Sequence, residues 1–184
     1  MKTDIPTFSG NYFSFTDVVS NVVSIEDIAH GLSNVCRFAG QCPQFYSVAQ
    51  HSVMVAYILE ELYGIHDPEV LLQGLFHDAS EAFLGDMTTP LKKLIPEYMV
   101  IEARVQADLM RRFGLPSSLH RIVSIADLSA LRMEKEQLLK NHDVWAVLEG
   151  VECLQEFFVF FYTPEQAKAQ FLNTFYRLMS ARRC

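Results

Sequence analysis

The sequence has little positive charge and few cysteines, and each scarcity argues against a class of function. The 184-residue chain has 15 Lys and Arg against 22 Asp and Glu, which gives a formal net charge of −7. A general nucleic-acid binder or a protein of anionic membranes needs a basic face, so we expect neither partner. The 4 cysteines include no Cys-x-x-Cys pair. This argues against a zinc–thiolate site and indicates a reduced, cytoplasmic protein.

Long apolar runs are also missing. The first residues, Met-Lys-Thr-Asp-Ile-Pro, lack the apolar core of a signal peptide. The most apolar late run, residues 157–162, is far too short to span a bilayer. We interpret this aromatic run as the core face of a helix or of a strand-like segment, although an interface would explain it equally.

The apolar pattern is helical, without repeats or strand pairs joined by hairpin turns. It predicts an all-α, single-domain bundle over residues 1–184. Residues 1–23 are expected to form an ordered arm or short hairpin, residues about 45–130 the metal core, and residues 143–184 further helices. The expected helices are one capped by Ser24, one from Ser47 to about Tyr63, one from Pro68 to Gly85, one from Pro96, and one over residues 119–140 in which 134–136 form a solvated face.

One apolar stretch, residues 71–84, carries three ionisable side chains, His77, Asp78 and Glu81. Burying such groups without partners costs on the order of 1–3 kcal/mol or more for each. A metal ion would supply the missing partner. In a continuous helix His77 and Glu81 share a face. A metal on His77 and Asp78 would therefore lie close to Glu81, a carboxylate suited to activating the water held there.

Two other His-Asp dipeptides have simpler interpretations. His66-Asp67 precedes a proline, which is typical of a loop ending at a helix N-cap. His142-Asp143 follows a charged helical run and is interpreted as a cap or turn. Only the dipeptide at residues 77–78 lies in an apolar helix with another acid one turn on.

Two further residues are candidate partners for this dipeptide. His51 lies in the first turn of a predicted helix, where a lone histidine is usually structural. Asp127 stands among Ile, Ala and Leu in another predicted helix. Ser124 or an arginine could satisfy this aspartate, but metal ligation explains its position better.

Two loops are candidate substrate segments. Residues 36–43 combine Arg37 and Phe38 with a glycine and a proline, and functional residues are frequent in such loops. Residues 86–93 combine an acid, hydroxyls and two lysines, with Pro90 expected to enforce an extended turn. A surface salt bridge of Arg37 and a solvated polar turn at 86–93 remain open as alternatives.

Together these residues resemble a known family. The pattern of His51, His77-Asp78 and Asp127 on predicted helices is similar to the HD-domain phosphohydrolases. Arg37-Phe38 and the runs 46–53, 77–86 and 89–92 resemble the YfbR-like 5′-deoxynucleotidase branch, over roughly residues 8–140. Residues 25–38 resemble in particular the compact members that include phage dATP triphosphohydrolases.

The resemblance implies that four side chains hold a metal ion, namely His51, His77, Asp78 and Asp127. Glu81 would orient or deprotonate the attacking water, and Asp86 would assist beside it. Two imidazoles and two carboxylates favour a transition ion such as Co²⁺, Zn²⁺ or Mn²⁺ over Mg²⁺, which usually avoids nitrogen.

The resemblance also implies substrate contacts. Arg37 and Lys92 would bind phosphate oxygens. Phe38 would take the place of an aromatic residue, often Trp, that packs on the sugar and disfavours a 2′-hydroxyl. Pro90 would help to shape the base pocket.

The expected activity is therefore metal-dependent hydrolysis of 2′-deoxynucleotides. Our first expectation is a dATP triphosphohydrolase, which makes deoxyadenosine and triphosphate and removes dATP from the host cytoplasm in a phage with 2-aminoadenine DNA. The alternative is a 5′-deoxynucleotidase that converts dNMPs to deoxynucleosides and phosphate. A cyclic-nucleotide phosphodiesterase would need a second metal cluster, and a silent nucleotide sensor would not need Glu81 and Asp86.

The resemblance also implies a homo-oligomer, from dimer to hexamer.

Overall fold

The computed structural model describes residues 4–151, 153–154 and 158–183. This part of the chain is a bundle of helices with one two-stranded hairpin, which confirms the all-α prediction. The helices are α1 (Ile25–Asn34), α2 (Val48–Tyr57), α3 (Pro68–Phe76), α4 (Glu81–Leu84), α5 (Thr89–Lys92), α6 (Pro96–Arg112), α7 (Arg121–Leu138) and α8 (Pro164–Ala181). Nowhere in the described residues does a helix have the length and apolar content that a membrane span requires.

Side-chain caps determine where three of these helices begin. The Ser24 side chain accepts a hydrogen bond from the Asp27 N–H, and the Asp27 side chain accepts one from the Ser24 N–H. The same reciprocal pattern begins α2 at Ser47 and α8 at Thr163. Such caps satisfy N–H groups that a helix end leaves unpaired. The predicted starts at Ser24 and Ser47 are confirmed.

The core lies where α2 packs against α3, α7 and α8, and α1 packs on α8 and α4. Glycines allow two of these contacts to be close. A Cβ on Gly74 of α3 would lie 2.5 Å from Leu59 Cδ1, and a Cβ on Gly31 of α1 would lie 2.5 Å from the Ala82 carbonyl oxygen. The contact at Gly31 holds α4, which begins with Glu81, directly against α1.

The N-terminal arm forms the expected short hairpin. Strand β1 (Ile5–Pro6) pairs antiparallel with β2 (Tyr12–Phe13). Phe13 is fully buried, and its ring stacks on Phe83 with centroids 4.1 Å apart. The hairpin thus covers the core beside α4.

The predicted continuous helix over residues 68–85 is wrong. α3 ends at Phe76, residues 77–80 form turns, and α4 follows as a separate short helix. In a continuous helix the Ser80 N–H would donate to the Phe76 carbonyl. Both groups bond instead to Gln106 of α6. Local periodicity could not show this break, because the competing partner is 26 and 30 residues away in sequence.

Pro90 was expected in an extended turn, and this expectation is also wrong. It lies in the first turn of α5, after Thr88 as the N-cap. Proline suits this position because the first helical turn leaves its N–H groups unpaired in any case.

The helices predicted over 143–184 form only in part. α8 lies there as expected, with Phe171 and Phe175 buried. Among the described residues of 143–163 the structure has one short 3-10 helix, Ala146–Leu148. The aromatic run is a core face only in part, since Val159 and Tyr162 pack against the core while Phe158 and Phe160 are 67% and 63% exposed. Phe157 lies outside the described residues. The run is held by its main chain, because Gln50 Nε2 donates to the Phe160 carbonyl at 2.8 Å.

Candidate metal centre and active site

Four polar side chains from α2, the turn after α3, and α7 converge at one point. His51 Nε2 lies 3.1 Å from His77 Nε2, 3.1 Å from Asp127 Oδ1 and 3.8 Å from Asp78 Oδ2. His77 Nε2 lies 3.1 Å from Asp78 Oδ2 and 3.7 Å from Asp127 Oδ1. Two ligand atoms bound to one ion at about 2.1 Å can be at most about 4.2 Å apart. The separations among His51, His77 and Asp127 therefore fit a single cation, and Asp78 Oδ2 lies within 3.8 Å of both histidine Nε2 atoms.

A hydrogen bond at Nδ1 orients each of the two imidazoles. His51 Nδ1 lies 2.7 Å from Glu134 Oε1, and His77 Nδ1 lies 2.7 Å from the Gly74 carbonyl oxygen. A carboxylate and a carbonyl only accept hydrogen bonds, so each Nδ1 carries the hydrogen. The two Nε2 atoms then direct lone pairs toward one another at 3.1 Å. This arrangement requires a positive charge between them, either a proton or a metal cation.

The surrounding carboxylates favour that positive charge. Burial acts to lower the pKa of His77, but Asp78 and Asp127 outweigh burial and raise this pKa well above its usual value. Burial acts to raise the pKa of Asp78, but His77 outweighs it and holds this pKa at about 2. His51, His77 and Asp127 form a group able to hold a metal ion, and Asp78 lies directly beside this group. A donor set of imidazole nitrogens and carboxylate oxygens fits a divalent metal ion.

Glu134 belongs to this centre. The prediction of a solvated face at 134–136 is therefore wrong for this residue and also for the buried Lys135, and it is confirmed for Glu136. Glu134 is fully buried. Its Oε1 accepts from His51, and its Oε2 accepts from Arg37 Nε at 3.2 Å and Nη2 at 2.8 Å. One carboxylate thus orients an imidazole and a guanidinium. The sequence contains a signal for it, since Glu134 follows Asp127 by seven residues, about two helical turns, and shares its face of α7.

Arg37 and Phe38 lie in a strained loop beside the centre. Phe38 and Ala39 have φ values of 53° and 50°, in a left-handed region that costs about 1–2 kcal/mol for a residue with a Cβ. Arg37 is buried, and its Nη1 lies 3.8 Å from Asp78 Oδ2 while Nε and Nη2 bond to Glu134. The surface salt bridge considered for Arg37 is therefore excluded. Phe38 is half-buried, with its ring centroid 5.2 Å from the guanidinium carbon.

Glu81 is buried at the start of α4, only 3% exposed. Its Oε1 lies 3.5 Å from Lys92 Nζ, and its Oε2 has no hydrogen-bond partner among the described residues. Burial and the neighbouring Asp78 raise the pKa of this carboxyl well above its usual value. A buried carboxylate oxygen without a partner is an available proton acceptor, as a general base requires.

Lys92 lies near the centre but is already paired. Its Nζ is 2.6 Å from Glu102 Oε1. Lys92 and Glu102 line a cavity of about 290 Å³ that also reaches His77 and Asp78. Lys92, which was predicted to bind phosphate, therefore lies at the site, and its positive charge is shared between the carboxylates of Glu81 and Glu102.

A second cavity, of about 230 Å³, lies at the loop after α4. Asp86 lines it, and burial raises the pKa of this carboxyl. Pro90, expected in the base pocket, is exposed and does not line this cavity. The lining is mostly apolar and consists of Ala39, Leu84, Gly85, Asp86, Met87, Thr88 and Leu91.

Of the other two His-Asp dipeptides, His66-Asp67 leads into a helix N-cap as predicted, whereas His142-Asp143 lies in irregular coil after α7 and forms neither a cap nor a turn. Asp67 caps α3 by accepting the Glu69 N–H at 2.9 Å. Asp143 accepts from the Asn141 amide at 2.7 Å. Both aspartates are exposed, and neither lies among the ligand atoms of the centre.

A helical bundle that brings a histidine, a His-Asp pair and a distant aspartate to one point has the arrangement of HD-type phosphohydrolases. Residues 31–178 match the family model described as 5′-deoxynucleotidase YfbR-like. The chain belongs to this YfbR-like 5′-deoxynucleotidase family, as the resemblance in its sequence predicted. Family membership supports a nucleotide phosphohydrolase.

Three relatives match different shares of the chain. The YfdR protein of Escherichia coli K12, itself uncharacterized, is 37% identical over 181 residues, which cover 98% of both chains. An uncharacterized protein of Rhodobacter capsulatus is 40% identical over 141 residues, 71% of this chain and 70% of its own. A 5′-deoxynucleotidase of Yersinia pseudotuberculosis is 30% identical over 142 residues, 70% of each chain.

Proposed function

We propose that the protein is a metal-dependent 5′-deoxynucleotidase, which hydrolyses 2′-deoxynucleoside 5′-monophosphates to deoxynucleosides and phosphate. The observation that carries this proposal is the pair of histidine Nε2 atoms 3.1 Å apart, each 3.1 Å from a carboxylate oxygen, next to a buried Glu81 with an oxygen that has no partner among the described residues. Membership of the 5′-deoxynucleotidase family supports dNMPs as substrates more strongly than it supports dATP.

His51, His77, Asp78 and Asp127 would hold the metal. A divalent ion there supplies Lewis-acid stabilisation of charge on a phosphoryl oxygen. The role of Glu134 is to keep the His51 Nδ1–H in place, so that Nε2 stays available as a ligand. Co²⁺, Zn²⁺ and Mn²⁺ suit this mixed nitrogen and oxygen set better than Mg²⁺ does.

Glu81 and Arg37 would act on the reacting groups. Glu81 Oε2 accepts a proton from the attacking water, with Asp86 assisting, and the raised pKa of Glu81 brings its basicity closer to neutral pH. Arg37 Nη1, the guanidinium nitrogen that is not bonded to Glu134, donates to a phosphate oxygen. Lys92 offers a second positive charge to the phosphate once its contact with Glu102 loosens.

Sugar and base would occupy the loop side of the site. Phe38 offers an aromatic face for the deoxyribose, next to Arg37. The apolar cavity at Leu84 and Met87 suits the flat face of a nucleobase. Pro90 contributes at most through the position of α5.

The expected dATP triphosphohydrolase activity stays a prediction. Hydrolysis at the 5′-proximal phosphorus of a dNTP would release triphosphate through the same residues. The matches to 5′-deoxynucleotidases do not support a role in a phage with 2-aminoadenine DNA. We therefore retain dATP as a substrate to be tested rather than as the proposed one.

Product analysis tests the proposal. Purified protein with added Co²⁺ is given each of the four dNMPs, the four dNTPs, AMP and 2-amino-dATP separately. We expect phosphate and the deoxynucleoside from dNMPs, and little product from AMP. Triphosphate from dATP with dNMPs left intact would contradict the proposal and restore the dATP expectation.

Asp78→Ala is the matched inactive variant, and Asp143→Ala is its control in an exposed His-Asp dipeptide. We expect activity to fall at least about a thousandfold in the first variant and to stay unchanged in the second.

Two further measurements test the metal and the oligomeric state. Zn²⁺ and Mn²⁺ replace Co²⁺ in parallel assays, and light scattering measures whether the chain forms the predicted oligomer.

A further inference from the structure

We propose that Gln106 is a positioning residue of the metal centre. Its side-chain amide holds the break between α3 and α4 open and so keeps His77 and Asp78 together. This inference rests on the proposed metal centre but not on the identity of the substrate.

The amide of Gln106 takes the place of a peptide group in the helix ladder. The Ser80 N–H donates to Gln106 Oε1 at 2.9 Å, and Gln106 Nε2 donates to the Phe76 carbonyl oxygen at 2.6 Å. The Phe76 carbonyl and the Ser80 N–H are an i, i+4 pair that would bond to each other in an α-helix. An inserted side chain of this kind interrupts the ladder and bends the chain.

The interruption determines where the two ligand atoms lie. Residues 77–80 are held by short i, i+3 bonds, from the Ala79 N–H to the Phe76 oxygen at 3.0 Å and from the Glu81 N–H to the Asp78 oxygen at 3.0 Å. In this turn His77 Nε2 and Asp78 Oδ2 approach to 3.1 Å. Because Gln106 bonds to the main chain at both ends of the turn, it fixes the backbone from which the two ligands project.

Gln106 is well placed to enforce this geometry. Its neighbours on α6, Val105 and Leu109, are fully buried, which fixes the helix that carries it. Its side chain lines the same cavity as His77, Asp78 and Ser80. No hydrogen bond or ion pair described here joins it to the four ligand atoms, so it acts through the main chain of the turn.

Gln106→Leu tests this role, since leucine has a similar size and no amide. The Phe76 carbonyl and the Ser80 N–H can then bond to each other, and Asp78 turns away from the centre. We expect Co²⁺ affinity, measured by calorimetric titration of metal-free protein, to fall about 10–100-fold, the usual range for a residue that orients a ligand. We also expect kcat to fall while KM changes less than about threefold, and amide hydrogen exchange to change over residues 77–81.

Two further variants separate positioning from stability. Gln73→Leu is the matched control, because the side chain of Gln73 also accepts a main-chain N–H, that of His120, at 2.7 Å. It should lower the melting temperature without weakening Co²⁺ binding. Gln106→Glu keeps the acceptor for Ser80 but loses the donor to Phe76, so its Co²⁺ affinity should be intermediate.

Unchanged Co²⁺ affinity in Gln106→Leu would overturn the inference, as would an equal loss in Gln73→Leu. These readouts do not depend on dNMP hydrolysis. A wild-type protein that binds Co²⁺ but hydrolyses no dNMP would contradict the proposed function and leave the role of Gln106 to be judged by its affinity.

Discussion

Two regions of different character meet between Phe76 and His77. On one side, the ring of Phe76 packs against Phe113 and Phe175, with centroids 4.9 and 5.7 Å away, and Phe171 lies 6.1 Å away. On the other side, the imidazole of His77 enters the metal centre. Both side chains are buried. The aromatic cluster is held by contacts without strict direction, whereas the metal centre depends on directional hydrogen bonds and ion pairs between particular atoms.

This difference indicates which property, stability or activity, a substitution in each region should reduce. An aromatic cluster loses free energy of unfolding in proportion to the volume removed from it, and the rest of the protein is unaffected. In a polar centre, each buried charge that is not fully compensated lowers the free energy of unfolding. The presence of its charged side chains is therefore explained by function rather than by stability. Substitutions in the two regions should therefore separate activity from stability.

Glu81→Gln should give the largest effect and should change activity alone. The amide cannot take a proton from water, so we expect kcat to fall about 10²–10⁴-fold. The folded state raises the pKa of Glu81, which means that its ionised form opposes folding above the pKa of the unfolded chain. The melting temperature should therefore stay the same or rise. Steady-state kinetics and calorimetry measure both quantities.

Glu97→Gln, an exposed carboxylate at the start of α6, is the control for the same chemical change. A Glu81→Gln enzyme with nearly normal kcat would show that another group accepts the proton.

Phe171→Ala should change stability alone. It removes a fully buried ring from the aromatic cluster, which typically costs about 3–5 kcal/mol in free energy of unfolding. Denaturant titration measures the loss. Activity per folded molecule and Co²⁺ affinity should not change at a temperature where the variant is folded.

Phe158→Ala is the matched control, because Phe158 is 67% exposed, and it should cost less than about 0.5 kcal/mol. A marked loss of Co²⁺ affinity in Phe171→Ala would mean that the two regions are coupled through Phe76 and His77.

Glu134→Gln should give a smaller effect on the metal centre. The amide oxygen can still accept from one partner, but the negative charge shared by His51 and Arg37 is lost. We expect Co²⁺ affinity to fall about tenfold, the low end for a group that orients a ligand. Glu136→Gln, an exposed position on the same helix, should leave the affinity unchanged. Equal affinities in the two variants would contradict the role of Glu134.

The fold was largely predictable from local signals. Ser24, Ser47 and Pro96 begin helices as expected, because caps and N-terminal prolines act over a few residues. The all-α class followed from apolar periodicity, which local sequence carries directly. The same reasoning failed at the turns after α3 and at the aromatic run, where the deciding bonds come from Gln106 and Gln50.

The sequence by itself determined which side chains are candidates for chemistry. His77, Asp78 and Asp127 could be selected because their burial without partners would be unfavourable, and His51 could be selected only as a partner for the His77-Asp78 pair. Only the tertiary structure decided how they are used. Glu134 orients an imidazole and an arginine, and Gln106 replaces a helical hydrogen bond, through contacts 83 and 26 residues apart in sequence. Periodicity reports which face of a helix is buried, but the partner that meets a buried polar group is set by how the helices pack.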